Sequence, residues 1–199
     1  MTIAIYGGAF DPSTIAHRKI ISSLKDVADE VWMMPCFSHL FDKKMSSPEH
    51  RLNMCELVAE LEGIRVCDYE FSLKQSITTY ESLKGLSEIY LEHDFNFVMG
   101  GDNLCNLPKW DKHEQLIAEF GIIAFERDGY DLTLFDSSKF KKLEILSNPY
   151  KDLNISSTEV RRLYAEEYTL ETVSKKIRNM LPEPVFDYIQ KHLYDLYRV

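Results

Sequence analysis

Long apolar runs are missing from this 199-residue chain: nowhere do about 18 consecutive apolar residues occur, the length a membrane-spanning helix needs. The amino terminus has no basic segment leading into a long apolar one, so nothing there reads as a secretion signal. Cysteine is scarce. Cys36, Cys55, Cys67 and Cys105 form no C-x-x-C pair and have no histidine at zinc spacing, which argues against a zinc site and points to reduced, partly buried thiols. Positive charge is short as well: 23 Lys and Arg face 32 Asp and Glu, a net charge of -9. Proteins whose main partner is nucleic acid need cationic surface to displace counterions, so that class is disfavoured. No internal repeat and no low-complexity tract occurs. A soluble cytoplasmic protein with neither a nucleic-acid nor a membrane partner is expected, and a homo-oligomer is compatible with the sequence.

The length suits a single domain over 1–199, with a core over 1–150 and a smaller part, 151–199, ending in helices. Ile3-Ala4-Ile5-Tyr6 reads as a buried strand, Ile20, Ile21, Leu24, Val27 and Ala28 recur at helical spacing, and Val31 to Met34 reads as a second strand ending at Pro35. Residues 36–46 lack a period and are expected to form a mobile loop. Ser46-x-x-Glu49 with Pro48 marks a helix start whose buried stripe is Leu52, Cys55, Val58, Ala59 and Leu61. Further strands are predicted over 64–69, 95–99, 122–125 and 143–146, with helices over 79–90 and 114–120. From Thr169 the pattern is helical, broken at Leu181-Pro182 before a last helix with Phe186, Ile189 and Leu193. This alternation predicts an α/β, Rossmann-like, doubly wound and mostly parallel sheet with helices on both faces and a small C-terminal helical extension. Ligands of such sheets bind beyond the carboxyl ends of the strands, where the strand order reverses.

Two segments near opposite ends of the chain look like phosphate cradles. The first, Gly7-Gly8-Ala9-Phe10-Asp11-Pro12-Ser13-Thr14-Ile15-Ala16-His17, joins a strand to a helix start, and its glycines let backbone N–H groups approach an anion closely. The second, Ile155-Ser156-Ser157-Thr158-Glu159-Val160-Arg161, opens a helix, with Ser157 and Thr158 read as cap and donors and Arg161 one turn on. Lys43, Lys44, Arg51, Lys109, Arg161 and Arg162 concentrate the scarce cations in or beside these segments.

Gly8-x-Phe10-x-Pro12-x-Thr14-x-x-His17, followed late by Ile-Ser-Ser-Thr-x-x-Arg, resembles the nucleotidyltransferases of the HxGH signature, and among them the nicotinate/nicotinamide mononucleotide adenylyltransferases. The likeness extends through Glu30 to Pro35, His50-Arg51, Thr79-Tyr80-Glu81-Ser82-Leu83, Gly100-Gly101-Asp102 and Leu107-Pro108-Lys109-Trp110, and so covers nearly the whole chain. Thr14 stands where many relatives have the first histidine, and Ala16 replaces the usual glycine.

The resemblance implies attack of a mononucleotide phosphate on the α-phosphorus of ATP, with magnesium accompanying ATP and no covalent intermediate. It implies catalytic roles for His17, Thr14 and Arg161. His17 would be drawn into its cationic form by the α-phosphate, and Thr14 would donate to a phosphate oxygen. ATP would be held by Gly8, Ala9, Phe10, His17, Lys43, Lys44, Gly100, Asp102, Ser157, Thr158 and Arg161, and the mononucleotide by Thr79, Glu81 and Trp110, the tryptophan stacking on the pyridine ring. Trp32, inside a strand pattern, is expected in the core. Thr79 favours the acid form of the substrate, while Thr14 and the Asn154 to Arg162 segment also resemble a dual-specificity eukaryotic branch. Two alternatives remain: another transferase of the superfamily, such as pantetheine-phosphate adenylyltransferase, and a non-catalytic ATP-binding module.

Overall fold

The computed structural model describes residues 1–38, 45–153, 155–166 and 175–192, together with Tyr197. Its centre is a six-stranded sheet of β1 (Thr2–Gly8), β2 (Glu30–Pro35), β3 (Arg65–Val66), β4 (Asp94–Gly100), β5 (Gly121–Phe125) and β6 (Lys142–Leu146). The spatial order is β3-β2-β1-β4-β5-β6 and every pairing is parallel, so the expected doubly wound sheet is parallel throughout rather than mostly so. The order reverses between β1 and β4, which pair from Thr2 with Asp94 to Tyr6 with Val98. Their carboxyl ends therefore open a crevice at Gly7, Gly8 and Gly100.

Alternation along β1 divides the core. Ala4 and Tyr6 face a layer holding α1 (Ile15–Leu24), α2 (Pro48–Glu62), α7 (Ser157–Glu166) and α8 (Glu183–Lys191), through Ile21, Met54, Val58, Val160 and Ile189. Ile3 and Ile5 face the opposite layer, where Leu83 of α4 (Thr79–Ile89), Leu104 of α5 (Gly101–Asn106) and Leu116 of α6 (His113–Glu119) pack with Phe97. Both faces of the sheet are thus covered, which is why its strands read as continuous apolar runs. Trp32 is 1% exposed, as expected of a core residue, and the Arg65 guanidinium lies 4.1 Å from its ring centre.

The structure corrects the sequence reading at three elements. The predicted third strand over 64–69 shrinks to Arg65 and Val66, because β3 is an edge strand that pairs only with Trp32 and Met33 before turning into α3 (Tyr69–Leu73). The cap of α2 is Ser47 rather than Ser46: the His50 N–H donates to the Ser47 hydroxyl, and Pro48 occupies the first turn. The cap of α7 is Ser156, whose hydroxyl accepts the Glu159 N–H at 3.1 Å, and not Ser157. The predicted loop residues Lys43 and Lys44, and Leu193 in the last helix, lie outside the described residues. Among the described residues no helix is long and apolar enough to cross a membrane.

Candidate active site

A cavity of about 770 Å³ opens at the crevice, lined by the β1–α1 turn, residues of α7, the start of α4 and Trp110. The turn is tightly made. A Cβ on Gly7 would fall 2.7 Å from the Phe97 ring, and Phe10 takes φ 49, the left-handed region, which aims its ring edge-on at Tyr6 and His17.

His17 sits at the third position of α1. The Thr14 N–H donates to its Nδ1 at 2.8 Å, closing a capping box in which histidine takes the place usually held by Glu or Gln. An Nδ1 that accepts this bond must be unprotonated, so the ring's proton is on Nε2. Burial, and after it the positive charge of Arg127, push the His17 pKa down to about 4. In the free protein the ring is therefore neutral, since an imidazolium would turn a second N–H against the Thr14 N–H; the expected cationic form concerns the phosphate-bound state. Thr14 is fully buried, its hydroxyl lies 3.0 Å from His17 Nδ1, and it is not among the residues lining the cavity.

Ser157 and Arg161 come to the turn from α7. The Ser157 hydroxyl donates to the Pro12 carbonyl at 2.9 Å, and the Arg161 guanidinium donates to the Asp11 carbonyl and to Thr158 Oγ1. Ser157 and Arg161 line the cavity with Gly8, Ala9 and Phe10, whereas Thr158 does not. Across the crevice stand Gly100 and Asp102, which pairs with Arg127 at 3.3 Å. A Cβ on Gly100 would lie 2.5 Å from the Asp102 carboxylate, so glycine is what lets that carboxylate fold back over the strand end. Sequence reasoning missed Arg127; its one signal was a cation two residues past the buried strand that became β5.

Trp110 is half-buried, meets Phe97 edge-to-face at 6.1 Å, and lines the cavity together with Thr78, Thr79 and Lys109. Glu81 does not line the cavity: its carboxylate accepts the Thr78 N–H at 2.9 Å and the Lys112 ammonium at 3.0 Å, completing the cap of α4. Arg51, counted among the cations near the motifs, is 0% exposed and is not among the residues lining the cavity. It donates to the carbonyls of Ala9, Cys36, Phe37 and Ser46, tying the turn to the end of β2. Buried Glu70 continues that scaffold, accepting the Phe37 N–H and the Ser82 hydroxyl, and burial pushes its carboxyl pKa up. Among the described residues no three His, Cys, Asp or Glu form a group able to hold a metal ion.

A family model described as cytidylyltransferase-like matches residues 5–163. A probable nicotinate-nucleotide adenylyltransferase of Bacillus cereus is 32% identical over 199 residues, covering 97% of this chain and 98% of its own length. One from Salinibacter ruber is 29% identical, covering 100% and 98%. Plasmodium falciparum nicotinic acid mononucleotide adenylyltransferase complexed with NaAD superposes with a TM-score of 0.80 at 29% identity, covering 100% of this chain and 99% of that one. The likeness extends over the whole cavity-bearing chain, and the chain belongs to the cytidylyltransferase-like family and, within it, to the nicotinate-nucleotide adenylyltransferases.

Proposed function

We propose that this cavity transfers the adenylyl group of ATP to nicotinate mononucleotide, giving the dinucleotide and pyrophosphate. The observation that carries the reading is one cavity lined both by the β1–α1 turn with His17, Arg127 and Arg161 and by the indole of Trp110 with Thr78 and Thr79. An oxygen of the mononucleotide 5′-phosphate attacks the α-phosphorus, the bond from that phosphorus to the bridging oxygen breaks, and pyrophosphate leaves with the electron pair. Such a reaction needs two anions held in line and the charge on the phosphate oxygens met by donors, with no protein nucleophile.

His17 donates its Nε2–H to an α-phosphate oxygen as a neutral imidazole, held in that tautomer by Thr14. The N–H groups of the turn and the guanidinium of Arg161 take the remaining phosphates, Arg127 supplies a further cation from across the crevice, and Ser157, whose one hydroxyl hydrogen goes to the Pro12 carbonyl, holds the turn in place. Magnesium accompanying ATP would offset phosphate charge, and Asp102 is the lining carboxylate that would orient it.

The pyridine ring stacks on Trp110. Its 3-substituent meets the N-terminus of α4, where the Thr79 hydroxyl can donate and the N–H groups of Thr79 and Tyr80 precede the bonded ones of Glu81 and Ser82, at the positive end of a helix dipole. A carboxylate satisfies those donors, whereas an amide would point its own N–H groups at some of them. Comparing kcat/KM for nicotinate and nicotinamide mononucleotide by pyrophosphate release tests this. The acid is expected to win by about tenfold or more, the worth of one charge-assisted hydrogen bond; preference for the amide would overturn the assignment of the α4 end.

A further inference from the structure

Asp11 is 1% exposed, and its carboxylate is satisfied by two neutral donors from distant parts of the chain. Oδ2 accepts the Ser46 N–H at 3.1 Å and Oδ1 accepts the Tyr197 hydroxyl at 3.2 Å. The Tyr197 ring stacks on Tyr164 of α7, with centroids 5.4 Å apart and planes at 19°, and Tyr164 in turn accepts from Gln190 of α8 at 3.0 Å. The backbone of the same turn is gripped by α7, through Arg161 on the Asp11 carbonyl and Ser157 on the Pro12 carbonyl. Asp11 and Pro12 thus meet Ser46 just before α2, helix α7 and Tyr197.

We propose that Tyr197 is a positioning residue for phosphate binding: its hydroxyl holds the Asp11 carboxylate and through it sets the β1–α1 turn against α7. A buried carboxylate oxygen that loses its donor is costly to leave unmet. The least expensive relaxation is for Asp11 to turn toward water in the cavity it already lines, which shifts the neighbouring Ala9 and Phe10 N–H groups and the carbonyl that aligns Arg161. The consequence falls on the ligand at that end of the cavity and spares the pyridine end. The inference rests on the reading of the turn as the ATP phosphate site.

The test is calorimetric binding of magnesium ATP and, separately, nicotinate mononucleotide to the full chain, for the wild type, Tyr197→Phe, Asp11→Asn and the double variant. Tyr197→Phe keeps the ring stacked on Tyr164 and removes only the hydroxyl. It is expected to weaken ATP about three- to tenfold, part of the worth of a hydrogen bond to a charged group, and to leave mononucleotide affinity within twofold. The double variant should bind ATP no more weakly than Asp11→Asn, because the hydroxyl acts through that carboxylate. Unchanged ATP affinity in Tyr197→Phe, an equal loss for both ligands, or additive losses in the double variant would each overturn the proposal. A wild type that binds the mononucleotide but no ATP would overturn the reading of the phosphate site beneath it.

Discussion

The neutral state of His17 makes a quantitative claim about pH. The wild-type ring titrates at 6.5 when unfolded and at about 4 when folded. Between those values the unfolded chain binds a proton that the folded chain refuses, so stability contributed by the neutral ring is complete above pH 6.5 and is lost as pH falls toward 4. At about 1.4 kcal/mol per pH unit the loss sums to about 3 kcal/mol. Carboxylates with depressed pKa values, such as Glu62, Glu81 and Glu159, also lose stability on acidification, so His17 must be isolated by difference. His17→Gln is the suitable partner: Thr-x-x-Gln is an ordinary capping box, which keeps the start of α1 while removing the titration. Urea unfolding of both proteins from pH 8 to pH 4 is expected to give similar stabilities at pH 8 and a wild type that falls behind His17→Gln by about 2–3 kcal/mol at pH 4. Turnover of His17→Gln should drop by about a hundredfold or more, since the amide cannot both accept from Thr14 and place a donor where Nε2 is. Stability curves that stay parallel down to pH 4 would refute the neutral histidine and the mechanism built on it.

Arg127→Met removes the charge that helps hold His17 neutral, so the His17 pKa followed by NMR should rise from about 4, and turnover should fall by about a hundredfold if the guanidinium meets phosphate. An unmoved histidine titration would break that link. Trp110→Ala is expected to raise the mononucleotide KM and leave that of ATP nearly unchanged; equal losses would make Trp110 a structural residue. Arg51→Ala strands the carbonyls of Ala9, Cys36, Phe37 and Ser46 in a buried site and should cost about 3 kcal/mol or more in denaturant unfolding, whereas a cost below about 1 kcal/mol would mean water replaces the guanidinium at no penalty.

Much of the fold was legible because β1, β2, β4 and β5 are buried on both faces and read as unbroken apolar runs, and because glycine is required where β1 and β4 end. β3 was misjudged in length since an edge strand pairs on one side only, and the apolar residues after it serve α3 and the core equally well. The two caps were displaced by one residue because Ser46-Ser47 and Ser156-Ser157 each offer adjacent hydroxyls, and only the backbone geometry decides which one faces the helix. At the site, the residues joined by short chain segments, such as Gly8 to His17 and Ser157 to Arg161, could be read together. Arg51, Arg127 and Tyr197 could not, because a sequence shows a charge or a hydroxyl without showing what it faces. Arg51 looks like a surface helix residue, and Tyr197 meets Asp11 across nearly the whole chain. Thr14 and Glu81 illustrate the converse: both stand in motif segments, and both spend their polar atoms on capping.

The central claim is that the α-phosphate of ATP moves onto the mononucleotide in this cavity. Incubating the protein with magnesium and nicotinate mononucleotide, in parallel with α-labelled and γ-labelled ATP, and separating the products tests it directly. The account predicts that the α-label appears in the dinucleotide and the γ-label in pyrophosphate. Transfer of the γ-label to the mononucleotide, or no transfer of either label, would contradict it.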